Sequence, residues 1–200
     1  PLAELKQIVF PLGNGASAAA IEGGRSVDTS MGLTPLEGLV MGTRSGDLDP
    51  AVLLQLARRA EMSIPDLDTL LNKRSGLLGI AGVSDMRDIQ ERRDAGDPAA
   101  RLAFDVYIHR LRAYAGAYLA QLDGVDVISF TAGVGENAPA VRAEAMATLG
   151  FAGVEIDPER NAARERGIRR ISTDSSRVEV LVVPTDEELE IARQTLSVTA

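Results

Sequence analysis

The stretch Lys6 to Val27, KQIVFPLGNGASAAAIEGGRSV, decides how the fold is read. Lys6 to Leu12 has the composition of a short buried strand. Ala16 to Ile21 and Arg25 to Val27 read as two more. Asn14-Gly15 lies between the first two runs and predicts a type I′ hairpin turn, with positive φ at both positions. Gly23-Gly24 predicts a second hairpin. The chain therefore opens on a three-stranded antiparallel meander.

Beyond the meander the pattern changes. Ser30 to Asp49 is loop-rich, with Gly32, Pro35, Gly38, Gly42 and Gly46, and one helical turn expected over Leu36 to Met41. Asp49-Pro50 opens a helix to Ala60, with Pro at the first helical position. Ser63-Ile64-Pro65 opens another through Leu71. Gly76 to Gly82, GLLGIAG, reads as a flexible apolar link, and Asp85 to Ala95 as a helix. The longest helix starts at Gly96-Asp97-Pro98 and runs to Leu122. Phe104, Tyr107 or Ile108, Leu111, Tyr114 or Ala115, Tyr118 and Leu122 recur along it at helical spacing, so one face is buried. Val125 to Thr131 is a nearly continuous apolar run, as expected of a central strand covered on both faces. A Gly-rich turn follows, then helices over Pro139 to Leu149 and Asp157 to Glu165. Val178 to Val183 is a second core strand, and Thr185 opens the last helix, to Leu196. Three antiparallel strands, then helices, then strand–helix–strand–helix is the order of one α/β domain of the ribonuclease-H-like type. It predicts a mixed five-stranded sheet flanked by helices, the unit repeated in the sugar kinase, actin and heat-shock-ATPase superfamily.

Composition bounds the function. The chain has 200 residues, 45% hydrophobic and 25% charged, which suits one soluble globular domain. A net charge of −8 argues against a general nucleic-acid binder. No apolar run is long enough for a membrane span, and the first residues carry Glu4 and Lys6 rather than a signal peptide. The absence of Cys excludes disulfides, thiolate metal sites and a Cys nucleophile, and a cytoplasmic address fits. The chain begins with Pro and enters a strand almost at once, as an excerpt of something longer would.

Several motifs carry two readings on the residues alone. Gly13-Asn14-Gly15 is a hairpin tip, and also a side-chain-free turn whose N–H groups can approach phosphate. Thr131 to Asn137, TAGVGEN, is a tight strand-to-helix connection, and also a helix entry offering N–H donors to a nucleotide. Gly133, Gly135 and Ala138 match a loose dinucleotide fingerprint, with Glu155 and Asp157 near the ribose-acid spacing, though at the fourth strand rather than the first. Arg44, in a Gly-flanked loop, can present its fork to a phosphoryl group or pair with Asp47 or Asp49. Thr185 and Glu188 make a capping box, while a carboxylate there could hold Mg²⁺ through water. Asp85-Met86-Arg87 passes for a surface turn, and His109, the only His, for a surface or packing residue.

Ser26 to Pro50, SVDTSMGLTPLEGLVMGTRSGDLDP, is very similar to a long signature of the acetate kinases. LGNGAS, FTAGVGEN and VPTDEEL resemble other blocks of the same family, in the same order and spacing. The resemblance covers nearly the whole chain and extends to propionate and butyrate kinases. It implies direct in-line transfer of the ATP γ-phosphoryl to acetate, with Mg²⁺, giving ADP and acetyl phosphate in a cleft between two such domains. It implies that Leu12, Gly13, Asn14 and Gly15 bind the nucleotide, with Asn14 and Gly15 touching its phosphates, and it implies a transition-state role for Arg44. It assigns Asp85, Met86, Arg87, Gly133, Val134, Gly135, Glu136 and Asn137 to the adenosine end, Pro35 to the acyl pocket and Glu187 to the metal. A homodimer is implied too, which the aromatic face of the long helix supports. Two departures stand out. The family has His where this chain has Pro11, which cannot donate a hydrogen bond to phosphate. Family members also carry an N-terminal domain with further catalytic residues, so residues 1–200 are expected to be the single C-terminal, nucleotide-binding domain. Such a half lacks the second clamp that in-line transfer needs.

Overall fold

The strand run at the chain start folds as β1 (Lys6–Pro11), β2 (Ala19–Glu22) and β3 (Arg25–Thr29) in the computed structural model, which describes residues 1–199 apart from the Glu187 side chain. Ile8 and Phe10 of β1 are fully buried and their neighbours half-buried, because β1 is a central strand. The sheet has the order β3-β2-β1-β4-β6-β5, with β4 (Val127–Thr131), β5 (Arg169–Arg170) and β6 (Glu179–Val182). β1 pairs parallel with β4, and β4 with β6; the remaining pairs are antiparallel. This is the expected α/β architecture with six strands instead of five. The added strand, β5, is two arginines long and polar, so it carries no hydrophobic period to read.

The helices are α1 (Pro50–Arg59), α2 (Ile64–Lys73), α3 (Gly76–Ala81), α4 (Met86–Asp94), α5 (Pro98–Gln121), α6 (Ala132–Asn137), α7 (Pro139–Met146), α8 (Pro158–Ala162) and α9 (Glu187–Thr199). The starts of four follow from local chemistry. Asp49, Asp97 and Asp157 accept from the first backbone N–H groups of α1, α5 and α8, and Ser63 with Asp66 forms a capping box on α2. Helix α5 runs along the core, with Phe104, Tyr107, Ile108, Leu111, Ala115 and Tyr118 buried. Helices α3, α4 and α7 pack against it. Phe104, Tyr107 and Tyr118 thus pack into this fold's own core, while Tyr114 is half-buried.

Five local expectations are corrected. First, neither Asn14 nor Gly15 has positive φ, so the tip is not a type I′ turn. Leu12 and Ala16 bridge across it instead, and Gly42 N–H donates to Asn14 O at 2.9 Å, so a tertiary contact shapes the tip. Gly23 and Gly24, at φ +58° and +78°, do form the second hairpin. Second, GLLGIAG is helix α3, with Leu77 and Ala81 buried. Its opening N–H groups at Leu77 and Leu78 donate to the carbonyls of Met41 and Gly42, partners that no local reading supplies. Third, Leu36 to Met41 is bends and turns, not a helical turn. Fourth, the Gly-rich turn after β4 is itself helix α6, entered through Ala132 at φ +63°. Fifth, Thr185 does not cap α9: Asp186 Oδ1 accepts from Leu189 N–H at 3.1 Å.

Candidate functional site

Two loops meet at the carboxyl end of β1. The tip Gly13-Asn14-Gly15 is stitched to the signature loop by the Gly42–Asn14 bond. A Cβ on Gly42 would collide with the Asn14 amide, so only Gly allows this approach. The signature loop is held from several sides. Met41 N–H donates to Arg44 O, Ser45 N–H to Leu71 O, and the Thr43 hydroxyl to Asn72 O. Asp47 closes it: its carboxylate accepts from Gly38 N–H (2.7 Å) and from the Tyr114 hydroxyl of α5 (2.7 Å), and Arg110 lies 3.8 Å away. Asp49 is occupied in capping α1.

Arg44 therefore pairs with neither acid. Its Nη1 donates only weakly, to Pro35 O at 3.3 Å and toward Met41 Sδ at 3.6 Å, and it has no carboxylate partner among the described residues. The same nitrogen would lie 3.4 Å from a Cβ on Gly15. Arg44, Pro35 and the glycine tip are thus brought together, with a fork of charge left for something else.

Beside the tip opens a cleft of about 1280 Å³. Gly13, Asn14, Asp85, Met86, Arg87, Gly133, Val134, Glu136 and Asn137 all line it, although they come from three separate stretches of sequence. Leu12, Gly15 and Gly135 do not. Leu12 is fully buried and acts through its backbone, its carbonyl accepting from Val134 N–H (2.7 Å) and Gly135 N–H (3.0 Å). Gly135 is buried with its Cα against β4, where a Cβ would sit 3.3 Å from the Phe130 carbonyl carbon. Asp85 caps α4 and binds Arg87 through both carboxylate oxygens, so the Arg87 guanidinium holds its carboxyl down at about 2. Asn137 donates to Gly133 O across its own turn. Glu136 accepts from Thr185 N–H, which brings the VPTDEEL block to the cleft edge, with Pro184 in the lining. The Glu187 side chain lies outside the described residues. His109 is exposed, and Glu155 and Asp157 are engaged by Thr173 and by the α8 N-terminus, away from any ribose-acid role.

The family model described as "Acetokinase family" matches residues 1–193. The chain belongs to the acetokinase family. The acetate kinase of Leifsonia xyli subsp. xyli is 64% identical over 200 residues, all of this chain and 50% of that protein. The chain spans about half the length of the curated relatives it matches. Among solved structures, Porphyromonas gingivalis acetate kinase superposes at TM-score 0.94 with 42% identity, over 99% of this chain and 50% of that one. A propionate kinase from Francisella tularensis superposes at 0.88 with 40% identity, over 94% and 48%.

Sequence reading missed part of this acetokinase-family cleft. Five arginines line it, at 87, 142, 164, 166 and 169, against three acids, Asp85, Glu136 and Glu165. A cationic cleft in a chain of net charge −8 suits a polyanion. The 161–167 segment and Arg142 carry no motif. A lone Arg on a helix reads as surface, and only the flanking Val141, Ala145 and Met146 mark Arg142 as inward.

Proposed function

We propose that this chain is the nucleotide-binding half of an acetate kinase. The whole protein would transfer the ATP γ-phosphoryl to acetate: an acetate oxygen bonds to the γ-phosphorus, the bond to the β–γ bridging oxygen breaks, and ADP and acetyl phosphate leave. The observation that carries this is Arg44. Its guanidinium lies against Gly15, without a carboxylate partner among the described residues, beside the Gly13-Asn14 tip that lines a cationic cleft large enough for a nucleotide. There it would stabilise charge that develops on the moving phosphoryl, the main lever in this chemistry. Asn14 and Gly13 would hold the phosphates, with Leu12 and Gly15 shaping the tip. Asp85, Met86, Arg87, Gly133, Val134, Glu136 and Asn137 would take the adenosine end, and Gly135 would let α6 pack close to β4. Pro35, in contact with Arg44, would flank the acyl group.

No cluster of three or more acids or His that could cage a metal exists among the described residues. Mg²⁺ would be carried in by the triphosphate with its own waters, the usual arrangement for this ion. Mg²⁺ would neutralise phosphate charge. Glu187 is its proposed acid on the family resemblance. A propionate or butyrate acceptor is the substrate variant, since one solved relative is a propionate kinase. A homodimer working in the cytoplasm completes the reading; no described helix is long and apolar enough to cross a membrane.

Calorimetric titration with Mg·ATP tests the nucleotide half. Binding is expected, with Arg44→Ala within about twofold of wild type and Asn137→Ala weaker by about tenfold, because only the second acts on the ground state. No binding at millimolar ATP would overturn the reading. Joining the chain to an N-terminal acetokinase domain should yield acetyl phosphate, and Arg44→Ala should then lower kcat by about 10²-fold or more. A second reading, a nucleotide-binding fragment without catalysis, is favoured by Pro11. In that case the joined protein stays inactive, with Pro11→His as well.

A further inference from the structure

The largest fully buried side chain is a charged one, Arg142 of α7, at 1% exposure. No carboxylate pairs with it among the described residues. Its Nη1 donates to Gly135 O (2.7 Å) and Glu136 O (3.0 Å), its Nε to Asn161 Oδ1 (2.8 Å) and its Nη2 to Asn161 O (2.7 Å). Four of five N–H donors are therefore spent on the protein itself.

The reason lies in the next turn of sequence. Gly135 O would normally receive the N–H of the residue four positions on, which is Pro139 and has none. At Ala138 (φ −111°, ψ 81°) the chain leaves α6 for α7, so Glu136 O also loses its helical partner. Arg142 supplies both missing donors, and Arg169 adds a third contact, Nη2 to Glu136 O at 3.1 Å. A cation at a helix C-terminus is favourable as well. The second half of the fork grips Asn161, whose amide in turn donates to Pro139 O (2.9 Å). Arg169 repeats the pattern by donating to Ala163 O (2.6 Å). One guanidinium thus joins two walls of the cleft, α6 with Glu136 and Asn137 on one side and the start of 161–167 on the other.

We infer that Arg142 is a positioning residue, which fixes the adenosine-end wall of the cleft against 161–163 without itself binding the phosphates. The inference rests on the proposed nucleotide reading. Burial and the neighbouring Arg169 lower its pKa to about 10, so the fork stays charged at neutral pH.

Two ligands separate this role from general loosening. Mg·ATP would reach both ends of the cleft, whereas inorganic tripolyphosphate with Mg²⁺ has no adenosine and would engage the phosphate end at Gly13 and Asn14. Arg142→Lys keeps the charge but cannot reach all four acceptors. In the folded variant the ATP Kd should rise about tenfold, while the tripolyphosphate Kd stays within about twofold of wild type. Arg169→Lys, at a half-buried site, should show the same split in smaller measure and carries the test if Arg142→Lys does not fold. Leu111→Ala, in the core and not among the residues that line the cleft, should lower the melting temperature with neither Kd changed. Unchanged ATP affinity in the lysine variants, or equal losses for both ligands, would overturn the inference. A wild type that binds neither ligand would overturn the nucleotide reading and the inference together.

Discussion

Single residues set the shape of this site through what they lack or withhold. Gly42 lacks a Cβ, and the Asn14 amide occupies that space. Gly42→Ala must push Asn14 out of place; the expected outcome is a folded protein whose Mg·ATP affinity falls about tenfold, checked by calorimetry beside circular dichroism. Asp85 can be tested by pH. Its folded pKa of about 2 lies below the ordinary 3.8, so its contribution is complete above pH 3.8 and is lost as pH falls toward 2. Asp85→Asn keeps the helix cap but loses the Arg87 pair. The melting-temperature gap from wild type should therefore be constant above pH 4 and close by pH 2. It should stay below about 1 kcal/mol in free energy, because Arg87 is 88% exposed and the pair is screened. The glycines and acids of the site are legible in sequence because their chemistry is local. Arg142 is not, because its partners at 135, 136 and 161 are fixed only once α6, α7 and α8 pack.

Elements, not residues, hold Arg44 in position. The signature loop has no regular structure of its own, and its backbone groups are met by α2, by α3 and by α5. Helix α3 donates its first N–H groups to Met41 and Gly42, while α5 closes the loop through Tyr114 and Arg110 on Asp47. Asp47→Ala removes three partners at once and should destabilise the domain by about 1–3 kcal/mol in urea unfolding. Tyr114→Phe removes one and should cost less than about 1 kcal/mol by the same measurement. This dependence limits what is legible in the sequence. The capped helices were readable from Asp49, Ser63, Asp97 and Asp157, since a cap bonds within three residues of itself. Helix α3 looked like a link because two of its six residues are glycines and its donors find their acceptors more than thirty positions back. Strand β5 is a strand only because β6 lies beside it.

At the scale of the molecule, charge is divided unevenly: the chain is anionic and its cleft is rich in arginine. Attraction of a polyanion into that cleft should be sensitive to screening. Raising ionic strength from about 0.05 to 0.5 M shortens the Debye length several-fold and should weaken Mg·ATP binding, measured by calorimetry, while adenosine binding changes little. The order of strands and helices made this architecture readable from sequence, with the exception of its last edge. That edge has a consequence of its own. One border of the sheet is β3, almost wholly exposed, with Arg25 and Asp28; the other is β5, two arginines and nothing more. A border of two arginines, and one whose exposed strand carries charge, discourage pairing with the strand of a neighbouring molecule. The sheet is thereby guarded against growth at its edges, which steers a protein concentrated in the test tube away from fibrils.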